Sequence, residues 1–280
     1  MERRHVVAQR ESMDVESIIR LGAFVLTGAL LAALEAVRPR RAPEAGRSFR
    51  WVGNLGVVAV SSVLVRLLFP VAPMALAATM REAGLGLFPA LGLNLAMEIA
   101  LSILILDLAM YAQHRAFHAW RPLWRVHRMH HADTFIDFST GVRFHPVEII
   151  ASMAFKLALA ALLAPPPAAV LAFEVILNGA AMFNHANLFL PLTADRVVRR
   201  FLVTPDMHRI HHSTDGREMN RNFGFCFPWW DRLFATYQEQ PAGGHEHMAI
   251  GLNIFREQKY RSLHRMLAMP FLSPDVRRRP

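Results

Sequence analysis

The stretch 101-LSILILDLAMYAQHRAFHAWRPLWRVHRMHH-131 decides how the rest of the chain is read. It begins as an apolar run and passes directly into five histidines. These fall as H-x3-H, at His114 and His118, and as H-x2-H-H, at His127, His130 and His131. The second pattern recurs at His208, His211 and His212. Pro122 sits where a proline can open a new helix, so the first two groups are expected on successive helices. Residues three and four apart share a helix face, so each group should present its imidazoles in one direction. A lone histidine is usually a hydrogen-bonded core or surface residue. Two copies of H-x2-H-H beside an H-x3-H read instead as metal ligands, because imidazole suits zinc, copper, iron and nickel. One metal accepts up to about six ligands. The eight imidazoles of these patterns therefore point to two metals close together.

Outward from this stretch the chain is apolar and basic. It has 280 residues, is 53% hydrophobic and carries a formal charge of +9, nearly all from arginine. The arginines flank apolar runs instead of forming a stripe among aromatics, which disfavours a nucleic-acid binder and fits the cytoplasmic side of a membrane protein. Ile18–Val37 is long enough to cross a bilayer and ends in Arg38-Pro39-Arg40-Arg41, not in a cleavage site. Trp51 to Met80 is a second apolar stretch, broken by Arg66, Pro70 and Pro73 and expected to kink or end near Phe69. Leu85–Tyr111 is a third. Val147–Ala164 and Ala168–Met182, joined by three prolines, read as a hairpin that enters the membrane and returns.

The expected fold is all-α: an integral membrane helical bundle of about three spanning helices plus a return hairpin, with a cytoplasmic, helical, histidine-rich catalytic cap. The expected divisions are a tail at 1–17, membrane helices at 18–96, a catalytic domain at 97–237 that includes the hairpin 147–183, and a basic C-terminal tail at 238–280. This topology gathers most arginines and all three histidine groups on the cytoplasmic side. Arg3, Arg4 and Arg10, left opposite, run against the positive-inside rule.

Single residues extend the site. Asp107 lies seven positions before His114, on nearly the same helix face. An acid in an apolar run is expensive, and here it reads as a carboxylate that orients a metal-bound imidazole through its second nitrogen. His185 is a candidate ninth ligand, His145 a candidate outer residue, and Asn187 a candidate holder of a metal-bound water. Thr204-Pro205-Asp206 is a helix start that puts His208, His211 and His212 in its opening turns. His5, His245, His247 and His264 have no partners at ligand spacing and are expected to be solvated. The single cysteine, Cys226, excludes an internal disulfide and any Cys-rich metal motif.

Zinc has no redox chemistry, and a hydrolytic zinc site needs far fewer ligands. Two histidine-bound irons at a membrane surface suit dioxygen activation against an unreactive C–H bond, with bulk water excluded. A haem protein would leave most of these histidines unused. A metalloprotease would need H-E-x-x-H, where this chain has Arg128 and Arg209 after the first histidine of each H-x2-H-H.

The motifs together resemble the fatty acid hydroxylase/sterol desaturase superfamily. They are Asp107-x3-Tyr111-x2-His114-Arg115-x2-His118, His127-Arg128-Met129-His130-His131, Phe144-His145-Pro146-x-Glu148 and Asn184-His185-Ala186-Asn187. They continue with Thr204-Pro205-x2-His208-Arg209-x-His211-His212-Ser213, Asn222-Phe223-Gly224 and the closing stretch from Trp230 to Tyr237. The resemblance implies a membrane-bound, helical, di-iron, dioxygen-dependent oxidoreductase that hydroxylates or desaturates a sterol-like or fatty-acyl lipid. By it, His114, His118, His127, His130, His131, His185, His208, His211 and His212 are iron ligands. Electrons would come from a separate ferredoxin- or cytochrome b5-like donor. Two departures stand out. Ala181 occupies a position where some members carry a further histidine, and Ala235 stands where glycine is usual. The alternative function is a non-enzymatic membrane metal- or haem-binding protein.

Overall fold

The computed structural model describes residues 2–44 and 46–273, with side chains of the first helix described from Val15. No strand occurs among the described residues; two isolated bridges join Pro39 to Leu188 and Ser213 to Ile250. Helix α1 (Glu2–Val37) runs without interruption, because no glycine or proline precedes Gly22. The helix is continuous across residue 17. Helix α2 (Arg47–Leu68) stops at Phe69, before Pro70, and α3 (Pro73–Glu82) opens on a proline. The third apolar stretch is divided. Helix α4 (Leu87–Leu91) ends at Gly92 in the left-handed region, and Asn94 then caps α5 (Leu95–Ala119) by accepting from the Met97 amide at 3.0 Å.

Helix α6 (Arg121–His131) follows α5 after the single residue Trp120, with Pro122 in its first turn. The hairpin is α7 (Pro146–Leu163) and α8 (Pro167–His185), turned at Ala164 with a φ of 44°. Short helices follow: α9 (Leu192–Val198), α10 (Pro205–His211), α11 (Gly216–Met219), α12 (Trp229–Leu233), α13 (Gly244–His247) and α14 (Leu263–Ala268).

Five segments are long and apolar enough to cross a membrane, at 15–37, 47–91, 95–119, 146–163 and 167–185. Their apolar surface largely faces outward. Only 6% of the apolar window of α1 is buried, and Ile18, Leu21, Leu26 and Leu30 are exposed along it. In water such a surface would drive association; in lipid it is the expected face of a spanning helix. The chain is thus a multi-pass membrane protein with α8 at its centre, packed against α1 and α5. Leu106 and Met110 of α5 pack on Phe173 of α8.

The link between α6 and α7 is fixed from below. Its turn at Phe138–Val142 lies so close to α8 that a Cβ on Gly141 would stand 2.2 Å from the Ala181 carbonyl oxygen. Buried Arg50 of α2 reaches into the link, donating to Asp133 at 2.9 Å, to the Phe135 carbonyl at 2.8 Å and to Asp137. Asn54 bonds Ser139 and Arg143 at 2.9 and 3.0 Å. In the C-terminal stretch Leu252, Phe255, Tyr260, Met266 and Met269 form a core with Val57 of α2 and Met129 of α6.

Candidate metal centre

The nine expected ligands arrive from four elements. One turn of α5 separates His114 from His118; α6 carries His127, His130 and His131; α8 ends on His185; α10 carries His208 and His211, with His212 as its C-cap. Thr204 caps α10 as its sequence implies, accepting from the Met207 amide at 3.3 Å.

They assemble as two adjoining groups. His114, His118, His127, His131 and His211 bring one ring nitrogen each to within 4.8 Å of one another, and His130, His185, His208 and His212 do the same. The H-x2-H-H patterns do not point one way, as periodicity led us to expect. His130 and His131 serve different groups, as do His211 and His212. Neighbours on a helix are about 100° apart around its axis, so each doublet splits between two centres placed side by side. The His131 and His212 rings stack at 4.4 Å across the divide.

Hydrogen bonding fixes which nitrogen faces inward. Nδ1 of His114 donates to the Phe223 carbonyl at 2.8 Å, that of His211 to the Arg221 carbonyl at 2.7 Å, and that of His127 to Glu148 Oε1 at 2.7 Å. In the other group, Nδ1 of His185 donates to the Ala181 carbonyl at 2.7 Å and that of His130 to the Arg143 carbonyl at 3.3 Å. A neutral imidazole with its proton on Nδ1 has only a lone pair on Nε2. Yet Nε2 of His114 lies 3.2 Å from Nε2 of His127 and 3.1 Å from that of His211, and Nε2 of His130 lies 3.1 Å from that of His185. Neither partner can donate in such a pair, so lone pair faces lone pair. A cation shared by both turns that repulsion into coordination. Burial, reinforced by neighbouring imidazoles, pushes His130, His131, His208, His211 and His212 well below the ordinary histidine value. They are neutral at pH 7, the form that binds metal. The residues therefore fit two metals, one with five imidazoles and one with four.

The three outer residues named from sequence do other work. Asp107 touches no imidazole: it accepts from the amides of Cys226 and Phe227, each at 3.2 Å, and from Trp230 Nε1 at 2.8 Å. It anchors the loop whose Phe223 carbonyl holds His114. His145 caps α7, accepting from the Val147 amide at 3.2 Å, and its Nε2 bonds the Leu267 carbonyl at 3.1 Å. Asn187 is committed to the chain after α1, accepting from the Arg41 amide at 3.0 Å and donating to the Arg41 carbonyl at 2.8 Å. The carboxylate that orients an imidazole is instead Glu148, in the first turn of α7. Its signal was present in the Phe144-His145-Pro146-x-Glu148 motif, but no spacing ties residue 148 to His127. Asp231 was also missed. It accepts from the amides of Phe223 and Gly224, both at 2.8 Å, and so holds the same loop from the other side.

Aromatic rings close the site. Phe144 stacks on His130 at 4.4 Å, and Phe223 packs edge-on against His114, His118 and His211. His247 and His264 are exposed, as expected, and His5 lies outside the described side chains. His245 is buried, not solvated, and stands 3.8 Å from Asp206 beneath Arg41, which donates to its carbonyl.

Residues 99–236 match the family model described as Fatty acid hydroxylase. The chain is 28% identical over 151 residues to ornithine lipid hydroxylase OlsE of Rhizobium tropici, covering 52% of this chain and 44% of that protein. It is 31% identical over 138 residues to alkylglycerol monooxygenase of Danio rerio, covering 49% and 30%. It is 25% identical over 151 residues to cholesterol 25-hydroxylase of Rattus norvegicus, covering 53% and 49%. The matched stretch is thus less than half of each of these relatives. No solved structure matches the chain.

Proposed function

We propose that the fatty acid hydroxylase domain of residues 99–236 is a di-iron, dioxygen-dependent lipid hydroxylase whose ligands are the nine clustered histidines. The observation that carries this reading is the convergence of nine imidazoles into two adjoining groups, each ring bringing one nitrogen to its group. Haem would use one or two of them. Iron bound there would supply the dioxygen chemistry that no side chain of this protein can perform.

The protein's own groups do the rest. Glu148 and the carbonyls of Phe223, Arg221, Ala181 and Arg143 hold five rings by their Nδ1 protons, so the Nε2 positions are set before any metal enters. Asp107 and Asp231 fix the loop that contributes the Phe223 carbonyl. Phe144 and Phe223 line the centres with apolar surface, which excludes water. The substrate is a lipid, sterol-like or fatty-acyl, that enters from the bilayer between the spanning helices. The site faces the cytoplasm, and two electrons per turnover come from a separate donor protein. Hydroxylation is favoured over desaturation because the relatives named above are hydroxylases and monooxygenases.

Metal analysis and lipid mass spectrometry test this together. The expected results are two irons per chain, no haem absorption, and a lipid heavier by one oxygen that forms only with the protein present. A preparation with one metal or none at full activity, or a lipid pool unchanged by the protein, would refute it.

A further inference from the structure

Eight of the nine imidazoles are buried; His118 is half-buried. Its ring stands 5.0 Å from the indole of Trp124, itself half-buried, which lies 5.4 Å from the ring of His131. At this one edge the five-imidazole centre comes within a ring's width of solvent. The surface there is cationic. Arg115 of α5, Arg121 and Arg125 of α6, and Arg221 after α11 are all exposed. Arg121, Trp124 and Arg125 lie three and four residues apart, so they share a helix face. Backbone carbonyls steady two of the guanidinium groups without cancelling their charge: Arg125 donates to Pro270 at 2.8 Å and Arg221 to Ala235 at 2.7 Å.

The nearby acids are committed elsewhere. No acidic residue occurs between Asp107 and Asp133. Buried Asp231 serves the Phe223–Gly224 loop, Asp215 pairs with Arg217 at 3.2 Å, and Glu218 accepts from the Ala242 amide at 2.7 Å. Trp120, 66% exposed, adds an apolar anchor at the junction of α5 and α6.

We propose that this face docks a small acidic one-electron carrier protein and that electrons enter by way of Trp124 and His118. The proposal rests on the hydroxylase reading above, whose balance is RH + O2 + 2e⁻ + 2H⁺ → ROH + H2O. Dioxygen is the oxidant, and a one-electron carrier must dock twice per turnover. A cationic rim around an aromatic edge steers an acidic partner and fixes its orientation, and this attraction weakens with salt.

The test uses the iron-loaded, full-length protein in nanodiscs. Turnover is driven either by a plant-type [2Fe–2S] ferredoxin with its reductase or by reduced methyl viologen. In Arg121→Glu/Arg125→Glu the Kd for ferredoxin, titrated on the nanodisc protein without turnover, and the KM should each rise about tenfold or more and lose most of their salt dependence. The kcat at saturating ferredoxin and the viologen-driven rate should stay within about twofold of the parent. Arg196→Glu, at an exposed position on α9, should change neither. An unchanged ferredoxin KM with viologen turnover intact overturns the docking proposal alone. Equal losses with both reductants overturn it too, because the variant then harms the site and not the encounter. Absence of viologen-driven product in the parent protein overturns the hydroxylase reading itself.

Discussion

Removing the Glu148 carboxylate should weaken one metal centre and leave its neighbour intact. His127 donates its Nδ1 proton to Glu148 Oε1 at 2.7 Å in a buried setting, while the second carboxylate oxygen has no hydrogen-bond partner. The carboxylate raises the basicity of the ring and locks its tautomer, and the loss of such a partner typically costs 10–100-fold, roughly 1.4–2.7 kcal/mol, in metal affinity. Glu148→Gln keeps an acceptor for the Nδ1 proton and loses only the charge, so its effect should fall near the lower bound. Glu148→Ala also strands a buried N–H, at a further cost of about 1–3 kcal/mol, and should exceed it. His127 belongs to the five-imidazole group; in the four-imidazole group no carboxylate holds a ring, and His185 and His130 donate Nδ1 to backbone carbonyls. Titration of iron-loaded protein against graded chelator should therefore show one iron leaving early and the other holding at the parental concentration. Loss of both irons together, or of neither, would refute the assignment of Glu148 to a single centre.

Other substitutions probe the remaining parts. His130→Ala and His211→Ala should each abolish the oxygenated lipid and lose iron, whereas His264→Ala, at an exposed position, should do neither; iron content and product yield decide this. Gly141→Ala forces a methyl against the Ala181 carbonyl, 2.2 Å from an ideal Cβ. The overpacking should cost about 1–3 kcal/mol and lower the melting temperature in detergent, with part of the four-imidazole centre lost because His185 hangs on that carbonyl. Burial beside Arg209 and Arg40 outweighs the pull of Asp206 and lowers His245 to about 4 from 6.5. The unfolded chain thus takes up a proton below pH 6.5 that the folded one refuses. Stability contributed by this group is full above pH 6.5 and is lost as pH falls toward 4, by at most about 3 kcal/mol; thermal melts of His245→Gln should be flatter over that window.

The sequence carried the helices and the histidine groups because both are written in local signals. Apolar runs bounded by Pro70, Pro73 and the prolines at 165–167 marked the helix ends, and two H-x2-H-H patterns marked the centres. The break within the third apolar stretch was missed because Gly92 and Asn94 sit among leucines. The pairing of ligands was not legible either. Spacing gives the face on which a residue lies, but the sorting of His130 from His131 depends on four helices meeting. The hydrogen-bond partners of Asp107, His145 and Asn187 were not legible for the same reason. Each is a buried polar group with its hydrogen bonds satisfied, as the environment demands, and the partners are main-chain groups or, for Asp107, also the Trp230 indole, up to about 150 positions away, as with Asn187 and Arg41. Sequence distance hides such a pair completely.

The two centres are unequal by construction. One has an additional imidazole and, through His127, the influence of an anionic side chain; in the other, His130 and His185 are held by uncharged backbone carbonyls. Greater donor strength favours the higher oxidation state, so an iron pair resident here would be electronically lopsided, with ferric character collecting on the side of His118 and Trp124. Spectroscopy of a half-reduced sample would then resolve two distinct irons instead of an averaged pair.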